Sequence, residues 1–288
     1  MTISAIHFSD PACPWAYSAN PALRVLEWRY RDQVRWRLVM IGLTESAEQY
    51  RRRGYTPVRG ALGQLSFRRY GMPFAPAPKE RLSATARACR AVIAARLADP
   101  ASELPVFRAL QRANFTTGLV LEDDEQLRAA LDAAGFDGAA LVAELDSPAV
   151  TEAYERDRAE ARQAAGSAAE LQGKTAATDG PVRYTAPSVI FERDGRRLVA
   201  GGFQPVEAYD VLIANLDPGL RREPPPEDPA PLLEHFRDGL STQEVAALLT
   251  HGNDLPDRRA AEEALIRLVG EGRAVREPLG DDALWRAA

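Results

Sequence analysis

Residues 3–8 form a short alternating apolar run and read as a strand. Residues 20–28 place apolar side chains at helical spacing. Residues 34–40 return to alternation, at first apolar against basic (Val34, Arg35, Trp36, Arg37, Leu38). Two strands around a helix of about a dozen residues predict a parallel βαβ unit, because parallel neighbours need a crossover of that length. Ligands in such sheets bind beyond the carboxyl ends of the strands, which directs attention to residues 9–17. Residues 44–80 have no period; Gly54, Gly60, Gly63, Gly71, Pro73, Pro76 and Pro78 break them into loops with short helices.

Residues 81–165 are Ala-rich and predict helices over 84–97 (opened by Ser83), 103–115, 123–134, 138–145 and 149–165. A small polar connection, 166–183, leads to the β-branched run 185–191. Asp194-Gly195 signals a hairpin, 197–200 its second arm, Gly201-Gly202 a turn, and 206–216 a helix. The expected fold class is α/β with a large helical insertion, plus a small α+β unit at the C-terminal end. The Pro-rich charged stretch 218–230 reads as a semi-rigid linker between a domain over 1–217 and one over 231–288. Beyond it, helices at 231–236, 242–249 and 256–271 precede a hairpin around Gly280-Asp281, a winged-helix-like order. Ser241 and Thr242 with Glu244, and Pro256 with Asp257, supply the start signals.

Composition adds less. The 288 residues are 45% hydrophobic and 27% charged, ordinary for a globular chain, and carry a net charge of −5. The first 80 residues hold twelve basic and six acidic side chains; residues 228–288 hold seven basic and twelve acidic. That acidic excess has the wrong sign for a phosphate backbone, so nucleic acid is not expected as a partner. The C-terminal unit is assigned to packing or to a homodimer. The arginines of 44–80 form either a solvated surface or an anion-binding rim for an acidic thiol or carboxylate. No run of 18 apolar residues suits a membrane span and no export pattern opens the chain, so a cytoplasmic location with reduced thiols is expected. Two cysteines make no disulfide framework. His7, His235 and His251 lack ligand spacing, so no metal is expected. His7 reads as a satisfied strand histidine.

Candidate chemistry centres on Ser9-Asp10-Pro11-Ala12-Cys13-Pro14-Trp15-Ala16-Tyr17. Cys13 falls at a strand-to-helix turn, where the N-terminal partial charge and free N–H donors favour thiolate over thiol. Pro14 suits the first helical turn, where its missing N–H costs nothing. Cys89 shares an apolar helical face with Leu82, Ile93 and Leu97. It is either packing or a resolving thiol for Cys13.

Cys13-Pro14-Trp15-Ala16 resembles the Cys-Pro-X-Cys motif of the thioredoxin superfamily. Within that superfamily it is most similar to the DsbA-type branch. That branch includes FrnE-like proteins and 2-hydroxychromene-2-carboxylate isomerases (kappa-class glutathione transferases). Residues 86–91 resemble its first inserted helix. Ala186-Pro187 stands where the superfamily keeps a cis-proline against the cysteine; the alternative is an ordinary trans-Pro at a strand edge. The resemblance spans about 1–217 and implies a thiol-disulfide oxidoreductase. Cys13 would be the nucleophile, and Pro14, Trp15, Tyr17, Ser18, Ala186 and Pro187 would line the substrate or thiol site. Trp15 would wall it, and Tyr17 or Ser18 would donate a hydrogen bond to the sulfur.

The departure is Ala16, which replaces the second cysteine and leaves the motif monothiol. A low-molecular-weight thiol, glutathione or mycothiol, is then the expected co-substrate, with no tightly bound cofactor. Two other readings stay open. One is a glutathione-transferase or isomerase-like enzyme in which Cys13 or Ser18 only hydrogen-bonds a cofactor thiol. The other is a non-catalytic redox-sensing or binding protein.

Overall fold

A computed structural model describes residues 2–178 and 180–288. Strand β1 (Ile3–Ser9) leads through α1 (Pro14–Ser18) and α2 (Asn20–Tyr30) to β2 (Val34–Met40). β1 and β2 pair in parallel from Ile3 opposite Val34 to Ser9 opposite Met40, the βαβ unit expected from the alternation. Residues 44–80 hold α3 (Ala47–Arg52) and α4 (Pro57–Phe67). The helical block follows as α5 (Ala86–Ala98), α6 (Glu103–Thr116), α7 (Asp124–Ala133), α8 (Gly138–Ala143) and α9 (Pro148–Ala161). Asp123, Asp137 and Ser147 cap three of these helices, each accepting a backbone N–H from the first turn that follows. Ser83 is not a cap, because the first of these helices begins two residues later than expected, after Thr85.

The chain returns through α10 (Ala168–Leu171) and the short pair β3 (Thr175–Ala176) and β4 (Arg183–Tyr184). β5 (Ser188–Arg193) and β6 (Arg196–Ala200) then complete a sheet of order β2-β1-β5-β6. Asp194 and Gly195 both take positive φ, 50° and 75°, the turn that a two-residue hairpin requires. Helix α11 (Val206–Leu216) covers one face with α2, burying Leu23, Leu26, Tyr209 and Ile213 against Ile3, Ala5 and Phe191. The helical insertion packs its own core of Cys89, Val92, Phe107 and Leu110 onto Leu38 and Met40.

The C-terminal part contains α12 (Ala230–His235), β7 (Leu240–Ser241), α13 (Thr242–Leu248), α14 (Arg258–Gly270), β8 (Ala274–Leu279) and β9 (Asp282–Ala287). Its sheet order is β7-β9-β8. Ser241 and Glu244 form a reciprocal capping box at the start of α13. Its core includes Val25 and Trp28 of α2, so the two parts share a hydrophobic interior.

An ionic cluster crosses the same seam. Buried Arg24 pairs with Asp238 and, at 3.4 Å, with Glu244; Arg112 pairs with Asp238 at 3.2 Å; Arg108 pairs with Glu27. Burial alone would raise the Asp238 carboxyl, but Arg24, Arg108 and Arg112 outweigh it and hold it well below the usual range. The stretch 218–230 lies along α2: Glu223 N–H donates to the Arg29 carbonyl at 2.8 Å, and Trp28 Nε1 to the Pro224 carbonyl at 2.8 Å.

Candidate functional site around Cys13

The turn between β1 and α1 is tied down by Asp10. Its carboxylate accepts the Ala12 and Leu43 N–H groups at 2.9 Å, the Thr85 hydroxyl at 2.8 Å and the Cys89 thiol at 3.4 Å. One carboxyl thereby joins the turn, the end of β2 and the start of α5. Burial raises its pKa, and these hydrogen bonds pull the other way.

Cys13 is the N-cap of α1, with extended backbone (φ −86°, ψ 115°) and Pro14 at the first helical position. Its carbonyl accepts the Tyr17 N–H at 3.0 Å, closing the first turn. Its Sγ donates to the Ala186 carbonyl at 3.2 Å, across 173 residues of sequence. The Ala186–Pro187 peptide is cis. The structure thus gathers Cys13, Pro14, Ala186 and Pro187 at one place.

The thiol is not the ready thiolate that the helix terminus suggests. Cys13 is only 6% exposed. Burial pushes its pKa up to about 12, and the nearby Asp10 adds to this. The N–H groups of Ala16 and Trp15 and the charge of Arg183 act in the opposite direction and do not overcome it.

Trp15 does form a wall. It is 39% exposed and packs against Phe67 at 4.9 Å and against Tyr70 and Phe203, each at 5.6 Å. Tyr17 and Ser18 do not reach the sulfur. The Tyr17 ring is fully buried, stacked on Phe115 at 4.9 Å and edge-on to Phe74 at 5.4 Å. The next turn of a five-residue helix faces inward, and neither hydroxyl has a partner among the described residues. Cys89 belongs to the core of the insertion and Cys13 to another core with Phe8, Ala16 and Tyr184; both thiols are free.

Three further residues complete the surroundings. Tyr50, on α3, lies close enough to Asp10 and Cys13 that their charges add to burial in raising its phenol. Arg183, buried, donates to the Tyr184 carbonyl at 3.0 Å and places a positive charge near the sulfur. Phe203 follows the Gly201-Gly202 turn. Asp10 had a signal in the sequence, an Asx turn ahead of a helix. The others lie 37 to 190 residues from Cys13, and only the topology brings them there.

Several arginines of 44–80 are engaged, some within the segment and some with distant ones. Arg51 and Arg52 pair with Glu48 at 2.8 and 3.3 Å, Arg59 donates to the Gly54 carbonyl, and Arg68 pairs with Asp281 at 2.9 Å. His7 also departs from expectation: it is buried with Nε2 unpartnered among the described residues. Burial, with Arg108 nearby, lowers its pKa to about 3. A groove of about 490 Å³ between the insertion and the C-terminal part, lined by Arg112, Phe136, Asp238 and Leu284, contains none of the residues around Cys13.

No curated protein matches the chain. Solved structures do share its fold. A probable DsbA oxidoreductase from Streptomyces coelicolor is 19% identical, covering 75% of this chain and 91% of that one, with a TM-score of 0.57. The cytosolic disulfide reductase DsbM from Pseudomonas aeruginosa is 20% identical, covering 74% and 98%, with a TM-score of 0.53. A second structure of DsbM, with GSH, gives 18% identity, the same coverage and a TM-score of 0.52. The family model of the DSBA-like thioredoxin domain matches residues 5–166, which takes in β1, the Cys13 turn and the insertion. The matched sequence and the four-stranded sheet agree, and the chain belongs to the DSBA-like thioredoxin domain family of thiol-disulfide oxidoreductases.

Proposed function

We propose that the chain is a monothiol thiol-disulfide oxidoreductase whose single reacting sulfur is Cys13. The observation that carries this reading is the placement of that sulfur at a helix N-cap, 3.2 Å from the Ala186 carbonyl, with Ala16 where a resolving thiol would stand. Cys13 gives up its proton and attacks one sulfur of a disulfide R–S–S–R′. The bond from Cys13 to the R sulfur forms as the S–S bond breaks, and R′–S⁻ leaves and is protonated. A second thiol R″–SH attacks the R sulfur as its thiolate. It forms R–S–S–R″ and returns the electron pair, and then a proton, to Cys13. Cys89 takes no part, since it sits in a separate core and is held by Asp10.

The small thiol is of the glutathione or mycothiol class, and the site is cytoplasmic. Support comes from DsbM, similar in fold, which is a cytosolic reductase and has been solved with GSH. Among the described residues no helix is long and apolar enough to cross a membrane. Residues 1–217 form the oxidoreductase domain, 218–230 the linker and 231–288 a winged-helix-like domain whose role is packing, not nucleic-acid reading.

The experiment is intact-mass spectrometry of a Cys89→Ser protein after addition of oxidised glutathione. One glutathione per chain is expected, absent in Cys13→Ser. Failure of an adduct to form in excess disulfide, or an adduct that survives loss of Cys13, refutes the reading. A protonated, buried Cys13 favours one second reading, in which the thiol donates a hydrogen bond to a cofactor thiolate, as in a glutathione transferase or isomerase. That reading predicts tight non-covalent glutathione binding and no mass change.

A further inference from the structure

Residues 44–74 form a strap across Cys13. The strap leaves the end of β2 and lays Tyr50 beside Asp10 and Cys13. It reaches across through Arg53, whose Nη2 donates to the Thr178 carbonyl at 3.0 Å. It returns along α4, whose Phe67 packs edge-on to Trp15. With this segment in place the sulfur is nearly closed off.

The end of the strap is gripped by the C-terminal hairpin. Phe74 N–H donates to Asp281 Oδ1 at 2.8 Å, and Asp281 N–H donates to the Phe74 carbonyl at 3.1 Å. Asp281 Oδ2 lies 2.9 Å from Arg68 Nε. At Gly280 (φ +58°) a Cβ would sit 3.0 Å from the Phe74 carbonyl, so the two backbones touch. The same unit makes a second grip: Gln243 folds over Gly71, and the Ser241 hydroxyl donates to Met72 Sδ at 3.4 Å. A hairpin tip kept for an outside partner would be free, whereas this one is fully engaged with residues 68–74. Phe74 in turn packs on Tyr17 of the motif helix.

We infer that the C-terminal hairpin is the latch of this strap, with Asp281 as the positioning residue that sets how often Cys13 is uncovered. The inference does not depend on which thiol reaction Cys13 performs, because its test reads access to the sulfur and not turnover. In the Cys89→Ser protein, alkylation of Cys13 by iodoacetamide is compared for the parent, Asp281→Ala and Asp281→Asn. Asp281→Ala loses the acceptor for Phe74 and the partner of Arg68, and should react roughly tenfold faster. Asp281→Asn keeps an acceptor for Phe74 but loses the charge partner of Arg68, and should react about threefold faster than the parent, well short of Asp281→Ala. Hydrogen exchange in Asp281→Ala should rise over residues 47–74 and not in the central sheet. An unchanged rate in Asp281→Ala, an Asp281→Asn rate equal to it, or exchange raised throughout the sheet overturns the inference. Should Asp281→Ala not fold, Arg68→Met carries the test. A rate about threefold above the parent supports the latch, and the parent rate refutes it.

Discussion

The reactivity of Cys13 is open to a quantitative test. At about pH 7.5 an exposed cysteine with a pKa of about 8.5 is roughly one-tenth thiolate. A thiol held at about 12 is roughly 3 parts in 100,000, some 3,000-fold less. The more basic thiolate is the better nucleophile. With a Brønsted slope of about 0.4–0.5, the difference of about 3.5 pKa units returns roughly 40-fold. The net expectation is exchange roughly 100-fold slower than that of an exposed cysteine. The assay is exchange of the Cys89→Ser protein with an aromatic disulfide, followed from about pH 6 to 10. The logarithm of the rate should climb with a slope near 1 to the top of that range, whereas an exposed cysteine levels off near pH 9. A plateau below about pH 8.5 would refute the reasoning. It would mean that the Ala16 and Trp15 N–H groups and Arg183 outweigh burial and that the site is poised as thiolate.

Other expectations concern stability and the motif. Asp238→Ala leaves Arg24 and Arg112 buried without their shared carboxylate and should cost about 3–5 kcal/mol in urea unfolding. Because the Asp238 pKa is depressed, its contribution is full above about pH 4 and fades only as the pH falls below that. His7, lowered to about 3, stays neutral in the folded state while the unfolded state takes up a proton below about pH 6.5. Stability should therefore fall by a few kcal/mol, to order of magnitude, between pH 6.5 and 3, and His7→Leu should flatten that slope. Ala16→Cys restores a second thiol beside Cys13. Oxidation should then close a disulfide within the motif and suppress the glutathione adduct, read by mass and by thiol titration.

Local chemistry made much of this fold readable. The alternation in 3–8 and 34–40 located the two parallel strands, Asp194-Gly195 located the hairpin, and Ser241 with Glu244 marked a helix start. Cys13 and Ala186-Pro187 were identified in sequence because the motif and its order carry them. Burial was the quantity that local pattern misjudged. The position of Cys13 at a helix terminus argued for a thiolate. The burial of its sulfur argues the reverse, and part of what surrounds it, Tyr50 and the Ala186 carbonyl, comes from segments far away in the chain. Tyr17 and Ser18 looked like site residues because they follow the motif by one turn. The helix that holds them turns them into the interior instead.

The ribosome delivers α2 about 200 residues before the segment that covers it. Arg24 and Glu244 are 220 positions apart. At about 5–20 residues per second, Val25, Trp28 and a buried guanidinium wait on the order of 10–40 s for α13. β1 likewise waits for β5 before it has both neighbours. The chain is thus obliged to finish folding after it is nearly all synthesised, with an apolar, charged seam exposed in the interval. A protein shortened at residue 217 would leave Val25, Trp28 and Arg24 uncovered, and it is expected to sediment as aggregate where the full chain stays in solution.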